Sequence, residues 1–534
     1  MRNIFSNSGR LTRLFLRRER VISAIWIVCL ALFSISLASG MGSMFDDLAR
    51  KALAETLKNP GMVAMMGPVY GADNYTVGAM YSNTMMLWMI ITIAVMNIFL
   101  VVRHTRADEE KGRAEMVRSL PTGRLATLNA TMLTATIVNI MLALLTGLGI
   151  AALGVPSMGF SESMLYGIAL GVSGMLFAAV AALFSQLCSS SRGAMSLSFL
   201  TLGVLYVMRA AGDTSNEVLS LISPLGLIQR SQVFIENHWW PVLVVVLEVV
   251  IVAIVAYALN AMRDMGQGFI PARPGRREAS RFLCSPFGLS FWLLRNTLFT
   301  WLIVMFTLGA SYGAILGDIE AFVSQSEFYQ TVIGTNPDYS VAMMFTSMVN
   351  SIAAMICVVP LLTAALKPRN EERENHAENV LSRAVTRTKY MTGYVGLAFI
   401  SSVLFQSATA VGLYVSSAVV LEEPIALGFL LKANLVYIPA LWVMIGLAVL
   451  LTGLAPKLSS IIWVYLGFSF FATFMGRFLT LPEWLVKLTP FSHIPQLPVD
   501  EINCFLLAII VGISIVLTIA GFVLYKKRDL QGTA

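Results

Sequence analysis

The sequence predicts an all-α polytopic membrane protein, on three observations: its hydropathy, the length of its apolar runs and the placing of its charges. Mean hydropathy is +0.75 and 13% of the 534 residues are charged, outside the balance of a soluble domain. Apolar runs of about 18 residues or more recur, each able to cross about 30 Å of hydrocarbon at about 1.5 Å per residue. They lack the alternation of a transmembrane strand, so helices are expected and a barrel is not. About twelve spans follow, near 21–40, 79–102, 125–153, 164–187, 194–212, 241–260, 297–316, 341–366, 391–419, 432–454, 458–475 and 503–525. The stretches 125–153 and 391–419 are over-long, so each is expected to tilt or to begin in the interface.

The third observation fixes orientation. A net charge of +7 could suit nucleic acid, but its distribution points to a membrane and to no nucleic-acid partner. With the N-terminus inside, the cytoplasmic segments hold 29 of the 37 Lys and Arg residues. The outer side holds Arg50, Lys51, Lys58, Arg209, Arg230, Lys432, Arg477 and Lys487, and its loops 154–163 and 317–340 hold none. That asymmetry places both termini in the cytoplasm.

The first span is preceded by MRNIFSNSGRLTRLFLRRER. The basic region is long and no A-x-A cleavage site follows, so it is expected to be an uncleaved anchor rather than a signal peptide. Leu11, Leu14, Phe15 and Ile22 set against Arg10, Arg13, Arg17 and Arg18 suit a helix lying on an anionic inner leaflet.

The next spans belong to a module used twice, with a period of roughly 263 residues. Glu109-Glu110 aligns with Glu371-Glu372. After a one-residue shift, Ala114-Glu115, Val117, Ser119 and Arg124 align with Ala377-Glu378, Val380, Ser382 and Arg387. Pro224 answers Pro490, and Arg263-Asp264 answers Arg528-Asp529. Two parallel six-helix repeats are expected: a first half 1–265, a cytoplasmic linker and second lead-in helix 266–296, and a second half 297–534. The linker carries Pro271, Pro274 and the basic Gly275-Arg276-Arg277.

Between the second and third spans lies RADEEKGRAEMVRSLPTGR, residues 106–124. Its acidic opening suits a helix N-terminus, Ala114 and Val117 leave a narrow apolar stripe, and Pro121-Thr122-Gly123 ends the helix. The second copy, 371–390, repeats the stripe as Ala377, Val380, Leu381 and Ala384. Topology needs only Lys and Arg, so paired acidic residues occurring twice point to a docking surface.

Glu109, Glu110, Gly112, Arg113, Glu115, Ser119, Pro121 and Arg124, with the basic lead-in helix, six spans per half and the terminal Arg-Asp pattern, resemble type-2 ABC exporter permeases. The fused twelve-span form is similar to putative exporters of polyketide antibiotics, the tetronasin-resistance type. The resemblance implies an elbow helix at 4–19 and coupling helices at about 107–120 and 372–384. Coupling would fall to Glu109, Glu110, Gly112, Arg113, Glu115 and Arg118, and to Glu371, Glu372, Glu378 and Arg383. The second copy departs from the pattern, with Glu374-Asn375 where Gly112-Arg113 stands and Ala384 for Pro121. The sequence has no G-x-x-x-x-G-K-[ST], and the dipeptide Gly-Lys never occurs. ATP and Mg would therefore sit on a separate subunit, present in two copies, while this chain binds no cofactor itself. The implied setting is a bacterial plasma membrane and the implied cargo an amphiphilic antibiotic or drug.

Segments 213–240 and 476–502 hold apolar stretches too short to cross; the resemblance implies re-entrant caps there, with ordinary extracellular loops as the alternative. Met85 and Met89, in a methionine-rich second span, could adapt to apolar ligands or simply pack. Glu248 lies inside the sixth span, which makes it a functional candidate. It sits about 10 Å from the outer end and Arg209 about 22 Å up from the inner end, so the two are expected to pair. Asn97, Asn139 and Asn350 suit interhelical hydrogen bonds. Nothing resembles an active site or a metal site: four histidines and five cysteines are scattered, without ligand spacing. The leading expectation is thus the non-enzymatic membrane subunit of an ATP-driven exporter. Two rivals stand beside it, a proton-coupled major-facilitator-like drug carrier and a non-transporting membrane enzyme or scaffold.

Overall fold

The computed structural model describes residues 4–215, 217–264, 266–270, 278–317, 340–421, 424–475 and 482–529. The linker residues Pro271, Pro274 and Gly275–Arg277, and most of the segment 317–340, lie outside them. The chain divides into two compact units, Met1–Gly275 and Arg276–Ala534. Among the described residues there is no strand, only an isolated bridge between Cys188 and Ile270.

In the first unit the spans are α1 (Ser8–Met44), α4 (Val77–His104), α7 (Ala126–Ala151), α8 (Phe160–Leu187), α9 (Ser191–Thr214) and α12 (Trp240–Met262). The expected elbow helix at 4–19 is not separate: one helix of 37 residues runs from the basic segment through the first span. No proline or glycine interrupts Arg10–Ser39, so nothing in the sequence breaks the hydrogen-bond ladder there. Thr76 caps α4 and Ser190 caps α9, each accepting from a backbone N–H of the first turn. The core centres on α4 and α8, through Tyr81, Ile90, Ile93, Tyr166 and Phe177, while α12 keeps most of its surface outward.

Between the spans, α2 (Asp47–Leu57) and α3 (Pro60–Met66) follow α1, and α10 (Glu217–Ile222) and α11 (Pro224–Gln229) follow α9. Leu225, Leu227 and Ile228 are buried, and Gln229 donates to the Met66 carbonyl at 2.6 Å. At the other end of the unit lie two short helices, α5 (Arg106–Glu110) and α6 (Arg113–Arg118).

The second unit repeats this order. Its spans are α13 (Pro286–Ile315), α14 (Val341–Ala365), α17 (Arg387–Val420), the pair α18 (Leu427–Leu435) and α19 (Ile438–Leu454), and α22 (Cys504–Lys527), with the shorter apolar helix α20 (Ile461–Met475) in the fifth place. The short loop helices are α15 (Lys367–Arg373) and α16 (His376–Leu381), and α21 (Glu483–Val486) lies before the last span. Again the lead-in residues and the span form one helix, α13, capped by Ser285. Gly309 and Gly313 let its backbone approach α17, where added methyl groups would meet the carbonyls of Thr409 and Leu413.

Eleven of the described helices are long and apolar enough to cross a membrane. The difference from twelve is α20: the turn after Pro456 delays its start, leaving 15 residues of the segment predicted at 458–475.

Candidate functional site

The charged loops are built alike in the two units. In each, two short helices are separated by two residues, the second of them in the left-handed region, Gly112 at φ 68° and Asn375 at φ 60°. Glycine adopts that conformation freely and asparagine is among the few others that tolerate it. Gly112 therefore answers Asn375, not Glu374, and a single offset of 263 relates the loops. On that register Glu109 answers Glu372 and Asp108 answers Glu371, so the one-residue shift read from the sequence disappears.

Contacts confirm the register. Glu109 accepts hydrogen bonds from both arms of Arg263, at the end of α12, one of them at 2.9 Å. Glu372 accepts from Arg528, at the end of α22, at 2.6 Å. Arg124 donates to the Arg263 carbonyl at 3.2 Å, and Arg387 donates to the Arg528 carbonyl. Arg106 donates to the Ser189 carbonyl at 2.6 Å, and its counterpart Arg369 donates to Ser460 Oγ at 3.0 Å and the Lys457 carbonyl at 3.4 Å. In each unit the same three places are tied: the loop after the second span, the loop before the fifth, and the end of the sixth. The loop after the second span and the end of the sixth are Lys- and Arg-rich, and the three places meet at one end of the unit.

Burial makes these ties strong. Arg106 is 1% exposed and also bonds Glu109 at 2.7 Å and the Gly266 carbonyl at 2.8 Å. A buried guanidinium needs such partners, because an unpaired charge would carry an uncompensated desolvation cost. Glu110 accepts from the backbone N–H of Ser191 at 2.7 Å and from its hydroxyl, placing negative charge on the positive end of α9.

One feature belongs to the first unit. Asp108 accepts from Arg18 at 2.5 and 3.0 Å and from Arg113 at 3.2 Å. Beside it His104 is fully buried, 3.0 Å from Glu19 Oε1, 3.9 Å from Asp108 Oδ2, and stacked on Phe15 at 4.6 Å. This cluster fixes α1 to the loop. In the second unit Lys367 stands at the His104 position and pairs with Glu371 at 2.7 Å.

The residues singled out from sequence thus divide. Glu109, Glu371 and Glu372 face inward into ion pairs, Glu110 caps α9, and Arg113 holds Asp108. Glu115, Arg118, Glu378 and Arg383 are exposed, around the buried anchors Ala114 and Ala377. Arg106, Arg369, Asp108 and His104 were not singled out. Their signal was available for the arginines, since Arg106 and Arg369 stand one period apart.

Within the spans, Asn97 and Asn139 exchange two hydrogen bonds, at 3.1 and 2.7 Å. Asn350 accepts from Asn434 at 3.1 Å, a partner not anticipated. Met89 is buried in the core of the first unit and Met85 packs against it. The expected pairing of Arg209 with Glu248 does not occur. Arg209, fully buried, pairs with Asp213 at 3.1 Å and donates to the Ala64 carbonyl at 2.7 Å and the Val63 carbonyl at 3.3 Å. Depth along the membrane fixes a level, not a helix face, and Asp213 lies one turn away on the same helix. Glu248 is half-buried, and its Oε2 has no hydrogen-bond partner among the described residues.

Comparison with known proteins places these features in context. The family model for the multidrug efflux system permease Rv1217c, C-terminal domain, matches residues 10–263 and 283–526. The first stretch ends at Arg263 and the second two residues before its counterpart Arg528. A multidrug efflux system permease protein of Mycobacterium tuberculosis, Rv1217c, is 31% identical over 539 residues, covering 99% of this chain and 96% of that protein.

Proposed function

The chain belongs to the multidrug efflux permease family of Rv1217c, and from that footing we propose that it is the transmembrane subunit of an ATP-driven ABC exporter that expels amphiphilic drugs or antibiotics. It is a multi-pass protein of the bacterial plasma membrane. Two copies of a separate ATPase dock on the two loops, one on α5–α6 and one on α15–α16, and bring ATP and Mg with them.

The observation that carries this reading is the duplicated tie at the basic end. A force on α6 reaches Arg263 at the end of α12 through Glu109, and the start of α9 through Arg106 and Glu110. The second loop has the same linkage to α22 through Glu372 and Arg528. A loop that only obeyed the positive-inside rule would need none of these acidic contacts. Coupled movement of the fifth and sixth spans would shift the outer helices α10 and α11, which lie between them in the chain.

The test is purification of the tagged full-length chain from its native membranes, with transport measured in inverted vesicles. Recovery of an ATPase carrying a phosphate-binding loop, and vanadate-sensitive drug uptake, is the expected result. Uptake that resists vanadate and collapses with an uncoupler would assign the chain to the proton-coupled class.

A further inference from the structure

We infer that the two ATPase seats are unequal, and that the loop of the first unit is the high-affinity one; the inference rests on the ABC reading above. The loops share one register at an offset of 263 from the left-handed residue through the second short helix, so their outward faces can be compared position by position. Met116 and Leu120 are 73% and 59% exposed in the first loop. One period later stand Asn379 and Arg383, both exposed.

A thioether exposed on α6 and an isobutyl group exposed in the bend just after it gain by entering a partner's apolar cleft, each by about tenfold or more in affinity. Asparagine and arginine gain little there, and a charge at the centre of an interface is disfavoured.

The surrounding charge differs in the same way. Around Met116 and Leu120 lie exposed Lys111, Arg113 and Arg118 against Glu110 and Glu115, with Glu110 held on the start of α9. Around Asn379 lie Arg373 and Arg383 balanced by Glu374 and Glu378. The first seat therefore fits a soluble subunit whose cleft is apolar and rimmed with acid. The second offers the same identical subunit a polar and neutral face.

The anchoring follows the same order. Arg106 bonds three backbone carbonyls and Glu109 from a fully enclosed position. Arg369 is only half-buried, with two acceptors.

The experiment exchanges the seats' residues in the full chain held in lipid nanodiscs, titrated with the ATPase subunit recovered from the native complex. The wild-type chain should bind two copies in two steps, separated by about tenfold or more. Met116→Asn with Leu120→Arg should leave two weak steps, and Asn379→Met with Arg383→Leu two tight ones. All four positions are exposed, so both variants should keep the wild-type thermal unfolding profile. A single wild-type step, or exchanges that leave both steps unmoved, would overturn the inequality and leave the ABC reading standing. No binding of an ATPase to the wild-type chain would overturn both.

Discussion

Glu109 and Arg263, 154 residues apart, form a near-buried ion pair that closes the basic end of the first unit, and Glu372 and Arg528, 156 apart, repeat it in the second. Removing one partner strands the other charge out of water, at a cost of about 3 kcal/mol for a buried pair. Arg263→Met and Glu109→Ala should each lower stability by about that much, and the double variant by less than the sum. A double-mutant cycle of unfolding in detergent measures the coupling. On the proposed ABC reading, the same variants should uncouple drug-stimulated ATP hydrolysis while leaving drug binding intact.

Gly112 and Asn375 make a second test, because they solve one backbone problem with different residues. No atom lies within 4 Å of a methyl group placed on Gly112, so only conformation opposes a side chain there. Gly112→Ala should cost about 1 kcal/mol, and Gly112→Val more. Gly112→Asn and Asn375→Gly should be close to neutral. Unfolding midpoints of the four variants would check the order, and equal losses for Ala and Asn would sink the account.

These two relationships also mark what the chain discloses before it is folded. Spans are legible because a helix in lipid must satisfy its own backbone over some twenty apolar residues, and α4, α8 and α12 fall where hydropathy puts them. The duplication is legible because Ala114, Arg124 and Arg263 return in order as Ala377, Arg387 and Arg528. Its register is not, because an acidic doublet slides by one residue without penalty in a sequence; only the left-handed hinge and the Arg528 contact fix Glu372 as the partner of Glu109. The absence of a break after Glu19 could have been read from the lack of Gly and Pro. Asp213 as the partner of Arg209 could also have been read, from its i,i+4 spacing; the carbonyls of Val63 and Ala64 could not, since that contact depends on how α9 is rotated against α3.

Arg209 and Asp213 yield a third prediction. Their side chains are 0% and 2% exposed, and Arg209 also binds the carbonyls at the end of α3. Arg209→Met should destabilise the first unit by about 3 kcal/mol and free α3 from α9, raising proteolysis at 58–76. Glu248→Gln removes no ion pair and should change the unfolding midpoint by less than about 0.5 kcal/mol equivalent. A large loss from Glu248→Gln would restore it as a structural partner.

The last prediction concerns the reciprocal amide pair inside the first unit. Asn97 and Asn139 exchange hydrogen bonds across α4 and α7, and Gly174 on α8 leaves the space for them. An interhelical hydrogen bond in lipid is worth about 0.6 kcal/mol on average, with a maximum near about 1.7. Asn139→Ala should therefore cost about 1 kcal/mol, counting the Asn97 Oδ1 left without its donor while Nδ2 still donates to the Ile93 carbonyl. Gly174→Ala should cost more, because its methyl group would overlap Asn139 Oδ1 and come within 2.7 Å of Asn97 Nδ2, breaking the pair and straining three helices together. Thermal unfolding of the two single variants gives the ranking. Should Gly174→Ala prove the milder change, α8 must move away from α4 and α7 more easily than so enclosed a packing allows.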